Sequence, residues 1–460
     1  MAMMHISTDQ PQSGTQTTSG ILIASVAVAA LGSFLFGFDT AVISGTTDAL
    51  RNVFSLSENL LGLTVSSALL GTMAGALLVA RPADRWGRQP VLSAMAILFL
   101  ISALGCAFSG NWYLLLFSRF IGGVAVGGTS VVSPMYITEI APPKRRGVLV
   151  AIAQLMIVLG ILGAYCSNFA VAAYFGAEHV ANWRWMFGMM AVPSAAFLIT
   201  VFLIPESPRW LVKCNRLEQA QKVLASIGHE NPQAELEEMA QSLQAERSGT
   251  HQALFQRKHL RPVFLAMMIA VFNQLDGINA VLYYSADIFR MAGADSASAL
   301  QQSMIVGLTN LVMTLVAMTL IDRLGRKALL LIGSVTFIFS HCLAAYVFYA
   351  QIHSWLMIAA LMGIVGTHAY SQGAVVWVII NELLPNSIRA SAGSLVCFLM
   401  WLLCALISWG FPVIAKISPV GIFAFFALMM VLQLFLVWKY LPETKGISLE
   451  ELQRQFGVQD

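Results

Sequence analysis

Apolar residues fall in long unbroken blocks, with neither the alternation of a half-buried strand nor the narrow stripe of a surface helix. Twelve blocks stand out, at 21–45, 57–80, 91–109, 112–140, 148–173, 185–204, 262–289, 300–321, 329–350, 355–384, 392–415 and 419–441. Each has about the 20 residues that a helix needs to cross a bilayer, or more. Backbone in lipid must satisfy its own hydrogen bonds, so blocks of this kind fold as helices. The expected fold class is an all-α polytopic membrane protein with twelve transmembrane helices. Six blocks lie on each side of a polar insert, 205–261, that holds eight Lys/Arg and seven Asp/Glu. Within it, 216–227 and 234–246 have helix-forming composition with charged faces and read as short surface helices. The chain therefore divides into an N-terminal tail (1–20), a first six-helix half (21–204), a linker (205–261), a second half (262–441) and a C-terminal tail (442–460).

Composition agrees and excludes other classes. The 460 residues are 58% hydrophobic and 11% charged, with a mean hydropathy of +0.74; soluble domains carry about 25% charged residues. A water-soluble enzyme is excluded. The net charge is +3, and the basic clusters Arg81, Arg85, Arg88 and Lys144, Arg145, Arg146 are too short to track a phosphate backbone, so nucleic acid is not an expected partner. Six cysteines show no metal-binding spacing and five sit in apolar blocks, where they read as packing residues; no metal or cofactor is expected. Residues 1–20 carry no Lys or Arg, so they lack the basic region of a secretory signal and are expected to be a disordered tail that is retained. Of the 26 Lys/Arg, 21 fall on the side of the linker and the C-terminus, four (Arg51, Arg184, Arg290, Lys416) on the other, and Arg119 inside a span. The excess places both termini in the cytoplasm.

The chain also repeats itself. Asp84-Arg85-Trp86-Gly87-Arg88 follows span 2 and Asp322-Arg323-Leu324-Gly325-Arg326 follows span 8, an offset of 238. Glu139 ends span 4 and Glu382 ends span 10, an offset of 243. Pro205-Glu206-Ser207-Pro208-Arg209 follows span 6 and Pro442-Glu443-Thr444-Lys445-Gly446 follows span 12, an offset of 237. Unrelated motifs at nearly one offset mean a duplicated six-helix unit, so the halves are pseudo-symmetric. Duplicated halves place a substrate site between them near the midplane and alternate its exposure by rocking.

These motifs, with Gly37-Phe38-Asp39-Thr40, Arg119 ahead of Gly122-Gly123, Pro205 to Trp210, and Gln274 with Gly277-Ile278-Asn279, stand in the order of a known family. From residue 21 to 446 the chain resembles the sugar porter branch of the major facilitator superfamily, which includes bacterial sugar:proton symporters and animal glucose facilitators. The resemblance implies the major facilitator fold and translocation of a sugar.

An acid in an apolar helix must be paired, protonated or turned to a cavity, and Asp39 is such an acid. Arg119 cannot give up its proton, and the resemblance implies that it alternately binds and releases Asp39. In the expected cycle, outside protonation of Asp39 frees Arg119, sugar binds, the halves rock and the proton leaves inside. Each proton driven by 100 mV supplies about 2.3 kcal/mol, roughly a 45-fold accumulation. The alternative is a static ion pair joining spans 1 and 4.

A sugar site needs amides for vicinal hydroxyls and an aromatic face for the ring. Gln154, Asn273, Gln274, Asn279 and Tyr283 supply these, and Gly277 is expected to loosen the helix there. Asn310 and Trp377 complete the set that the resemblance implies, with Phe36 and Trp401 as apolar walls. Asn273, Met400, Ala374 and Ile161 depart from the family pattern and leave the sugar, whether hexose, pentose or polyol, open. Asp276 shares a helical stripe with Asn273 and Asn279; it is a sugar ligand or a second protonation site, or else an acid permanently protonated or satisfied by local backbone. His341 and His368 read as packing histidines. At the linker face, Asp84, Arg85, Arg88, Glu139 and Arg146 in one half and Asp322, Arg323, Arg326, Glu382 and Arg389 in the other read as a latch that breaks as the halves rock inward. Gly71, Gly75, Gly123 and Gly127 are spaced for close helix packing. Three rival functions remain. A membrane enzyme lacks any nucleophile elbow, zinc pair or phosphate loop. A proton-independent facilitator needs no acid at position 39. A non-transporting sugar receptor would carry a long extension, whereas this tail runs from 442 to 460. One chain holds both halves, so a monomer suffices.

Overall fold

The computed structural model describes residues 19–142, 145–229, 231–248, 256–352, 355–385, 388–445 and 451. The N-terminal tail up to residue 18 and most of the C-terminal tail lie outside the described residues, as does the Asp322 side chain. Among the described residues, twelve helical segments are long and apolar enough to cross a membrane: Gly20–Gly45, Glu58–Leu78, Arg88–Ala107, Trp112–Ile140, Arg146–Phe175, Asn182–Leu203, His259–Tyr283, Ser296–Ile321, Arg326–Ala350, Trp355–Leu383, Ser391–Ile417 and Pro419–Tyr440. They are spans 1 to 12 below. Side-chain caps mark the starts of spans 2, 4, 8 and 12: Ser57, Asn111, Asp295 and Ser418 each accept from a backbone N–H in the first turn.

Spans 3 and 9 start differently, because a remote carboxylate takes the place of a local cap. Gly87 and Gly325 have φ of +103° and +89°, which turn the chain sharply out of the preceding helix. Glu206 then accepts from the N–H groups of Arg88 and Gln89, and Glu443 from those of Arg326 and Lys327. A β-carbon at either glycine would collide with that carboxylate. The two repeated motifs, loop glycine and Pro-Glu, are thus the two sides of one joint built twice.

Small residues bring spans 2 and 4 together. A β-carbon at Gly71 or Gly75 would sit on the carbonyls of Phe120 and Val124, and one at Gly123 or Gly127 on those of Ala68 and Thr72. Backbones this close form a rigid half. Among the described residues the linker holds three helices, Pro208–Lys213, Leu217–Ser226 and Pro232–Ser248. The first of them, inside the Pro-Glu-Ser-Pro motif, is one more than its composition announces.

Contacts between the halves gather on the face opposite the linker. Tyr165 donates to the Leu282 carbonyl at 2.8 Å, Trp409 Nε1 to Asn59 Oδ1 at 2.8 Å, and the Ala286 N–H to Ser44 Oγ at 3.2 Å. Arg290 reaches Thr47 at 3.3 Å and Lys416 reaches Glu58 at 3.5 Å.

Candidate functional site

Span 1 carries Asp39 and span 4 carries Arg119, and both side chains are buried, at 4% and 1% exposure. Arg119 Nη1 donates to Asp39 Oδ1 at 2.6 Å. The contact is single: Arg119 Nε and Nη2 are buried without partners, and the guanidinium lies 5.6 Å from the Phe187 ring centroid. A guanidinium keeps its own proton, so any protonation of the pair falls on Asp39. The linker-face pair Arg88–Glu139 is a full fork by contrast, with both bonds at 2.8 Å.

Span 7 is not one helix. It runs as Arg257–Leu275, breaks at Gly277 with φ +77°, and resumes as Ile278–Tyr283. The break aligns three amides: Asn279 Nδ2 donates to Gln274 Oε1 at 2.8 Å, and Gln274 Nε2 to Asn273 Oδ1 at 2.8 Å. A chain of this kind leaves each amide with donor or acceptor capacity to spare. Tyr283 on the short piece is buried beside Thr40 and Cys404 and within electrostatic reach of Asp39 and Arg119. The amide-bearing helix of one half therefore meets the ion pair of the other. Phe36 and Trp401 face each other across the halves with ring centroids 6.0 Å apart. Asn310 is buried, while Gln154 on span 5 and Trp377 on span 10 are exposed.

Asp276 differs from what a sugar ligand requires. It is 0% exposed, and both its oxygens are taken: Oδ1 by the Ile278 N–H at 2.9 Å and Oδ2 by His368 Nδ1 at 2.7 Å. His341 Nε2 lies 2.9 Å from the Asp276 carbonyl. The two histidines that the sequence assigns no role thus both bind this residue. The available signal was the acid's position, since spans 7 and 10 must neighbour each other once spans 1 and 4 do.

The linker-face charges are also arranged otherwise than a latch between halves. Arg88 holds Glu139 and Asp84, and Arg326 holds Glu382 at 3.3 Å. Each pair lies within one half. Asp84 also binds Lys213 of the linker at 3.1 Å. Arg85, Arg146 and Arg323 are exposed, and Arg389 donates to the Leu384 carbonyl at 3.2 Å. Outside the spans, burial pushes the Glu206 carboxyl above its ordinary value although backbone N–H groups oppose this. At Glu443 burial acts the same way, but four backbone N–H bonds outweigh it and hold the carboxyl below its ordinary value.

A family model described as sugar (and other) transporter matches residues 25–456. The D-xylose-proton symporter of Escherichia coli is 35% identical over 95% of this chain and 96% of that protein. The arabinose-proton symporter of Bacillus subtilis is 36% identical over 95% of each. The structure of the xylose transporter from E. coli in an inward-open conformation superposes with a TM-score of 0.83 at 33% identity, covering 94% of this chain and 99% of that one.

Proposed function

The chain belongs to the sugar porter family, and from that premise we propose that it imports a monosaccharide, a hexose or pentose, by proton symport through alternating access. It is a multi-pass transporter of the plasma membrane. The single observation that carries the reading is the buried pair Asp39–Arg119, in which the acid of span 1 meets the guanidinium of span 4 inside the membrane at 2.6 Å. Protonation of Asp39 removes the charge that Arg119 binds, and the neighbouring Tyr283 conveys the change to the piece of span 7 that carries Asn279.

The excess of Lys/Arg on the linker side supports a cytoplasmic placement for that face and for both termini. With the outer ends of spans 1, 2, 7 and 11 closed, the arrangement is then the inward-open stage of the cycle, in which Asp39 has lost its proton to the cytoplasm. Gln154, Asn273, Gln274, Asn279, Tyr283, Asn310 and Trp377 serve the sugar, with Phe36 and Trp401 as walls.

Counterflow in proteoliposomes tests this. Asp39→Asn keeps an acceptor for Arg119 but holds no exchangeable proton; it should abolish uphill uptake driven by a pH gradient while sugar exchange persists. Uphill accumulation by Asp39→Asn, or exchange that no monosaccharide supports in the unaltered protein, defeats the reading.

A further inference from the structure

Asp276 follows Asp39 by 237 residues, the same offset that separates Pro205-Glu206 from Pro442-Glu443. It lies on span 7, the duplicate of span 1, within the same range of offsets as the repeated motifs. Its partner also comes from the equivalent helix, for Arg119 lies on span 4 and His368 on span 10. On the symport reading above, we propose that Asp276 and His368 form a second coupled-proton site, the counterpart in the second half of Asp39 and Arg119.

The contacts place one proton inside the dyad: Oδ1 of Asp276 accepts from the Ile278 N–H, and Oδ2 lies 2.7 Å from His368 Nδ1, a contact that one hydrogen must bridge. The variable proton is at Nε2 of His368, whose side chain is 20% exposed while that of Asp276 is 0% exposed. The other titratable groups packed around the acid leave it that role. His341 of span 9 donates from Nε2 to the Asp276 carbonyl, and its Nδ1 is buried without a partner, so a proton added there would be stranded. Cys404 of span 11 lies within electrostatic reach of Asp276 and supplies no cation. With His368 neutral the dyad is a net negative charge in the interior; with His368 protonated it is a neutral pair, which the low dielectric favours.

The two sites load differently. Arg119 cannot release a proton, so Asp39 must break its ion pair to take one. His368 takes a proton itself, and the pair with Asp276 tightens. An N–H bond forms at Nε2 from a proton of the outer solution and breaks to water inside; no electron moves. Asp276 also caps the short piece of span 7 through Ile278, so the charge of the dyad acts on the piece that bears Asn279 and Tyr283.

The test is the number of protons per sugar, read in proteoliposomes as the sugar gradient that just stops net flux at a series of clamped potentials. The unaltered protein should give two. His368→Asn keeps a donor near the Nδ1 position but holds no variable proton; it should give one, a roughly 45-fold lower accumulation ratio at 100 mV. Asp276→Asn should behave alike, with exchange within about threefold of the unaltered protein as the control for folding. A merely structural role for His368 would leave the count unchanged in His368→Asn. A count of one in the unaltered protein, or of two in both variants, overturns the second site and leaves symport standing. A count of zero removes both.

Discussion

The guanidinium of Arg119 uses one donor on Asp39 and leaves Nε and Nη2 without partners in the interior. The amides of span 7 are under a different constraint, being bonded to one another in a line from Asn279 to Asn273. Removing the middle member breaks both bonds and one link to substrate. Gln274→Ala should raise the half-saturating sugar concentration about tenfold, equivalent to about 1.4 kcal/mol, with the protons carried per sugar unchanged. Equilibrium exchange over a range of sugar concentrations measures this, and an unaltered half-saturation would take Gln274 out of the site.

At the scale of elements, the joint between a loop glycine and a remote glutamate is the part most exposed to single changes. Gly87→Ala and Gly325→Ala each add a β-carbon both to a positive φ and to a space that a carboxylate occupies. Each should lower the melting temperature of the purified protein by several degrees, since overpacking and strain cost about 1–3 kcal/mol apiece; alanine tolerated at both would contradict the account. The capping carboxylates should separate by pH. The folded value of Glu443 is depressed, so its stabilisation is present above the ordinary glutamate value of about 4.3 and is lost as pH falls through the lower folded value. Glu443→Gln should therefore melt below the unaltered protein at pH 7 by the equivalent of about 1 kcal/mol or less, with the gap closing in acid. Burial raises Glu206, so linkage from its ionisation has the opposite sign: it favours the fold below pH 4.3 and is lost as pH climbs through the raised folded value. A gap for Glu443→Gln that widens in acid would refute the assignment.

Across the whole molecule, two rigid halves meet at one end. Ser44 and Ala286 face each other there, with the Ala286 N–H on the Ser44 hydroxyl at 3.2 Å. If the halves must part at this end to admit sugar, tying them stops the cycle. The pair Ser44→Cys and Ala286→Cys should lose at least about tenfold in transport when oxidised and recover with reductant, whereas either single change should be indifferent to oxidant. Undiminished transport by the cross-linked protein would mean that this end does not open. The fork of Arg88 and Glu139 and the single contact of Arg326 with Glu382 each lie within one half, so neutralising Glu139 or Glu382 should loosen its own half, seen as a lower melting temperature.

The sequence alone determined the membrane class, the twelve spans, the duplication and the residue types of the site, because lipid forces the backbone into helices and a shared offset survives divergence. Asp39 and Arg119 stood out as charges in apolar runs. The unpaired guanidinium nitrogens, the break at Gly277, the face on which the halves touch, and the pairing of the latch charges within each half were decided only in three dimensions. So was the meeting of Asp276 with His341 and His368. A histidine in an apolar helix looks the same in sequence whether it packs or pairs; the rotation of span 10 against span 7 settles which, and that rotation depends on the packing of many side chains at once.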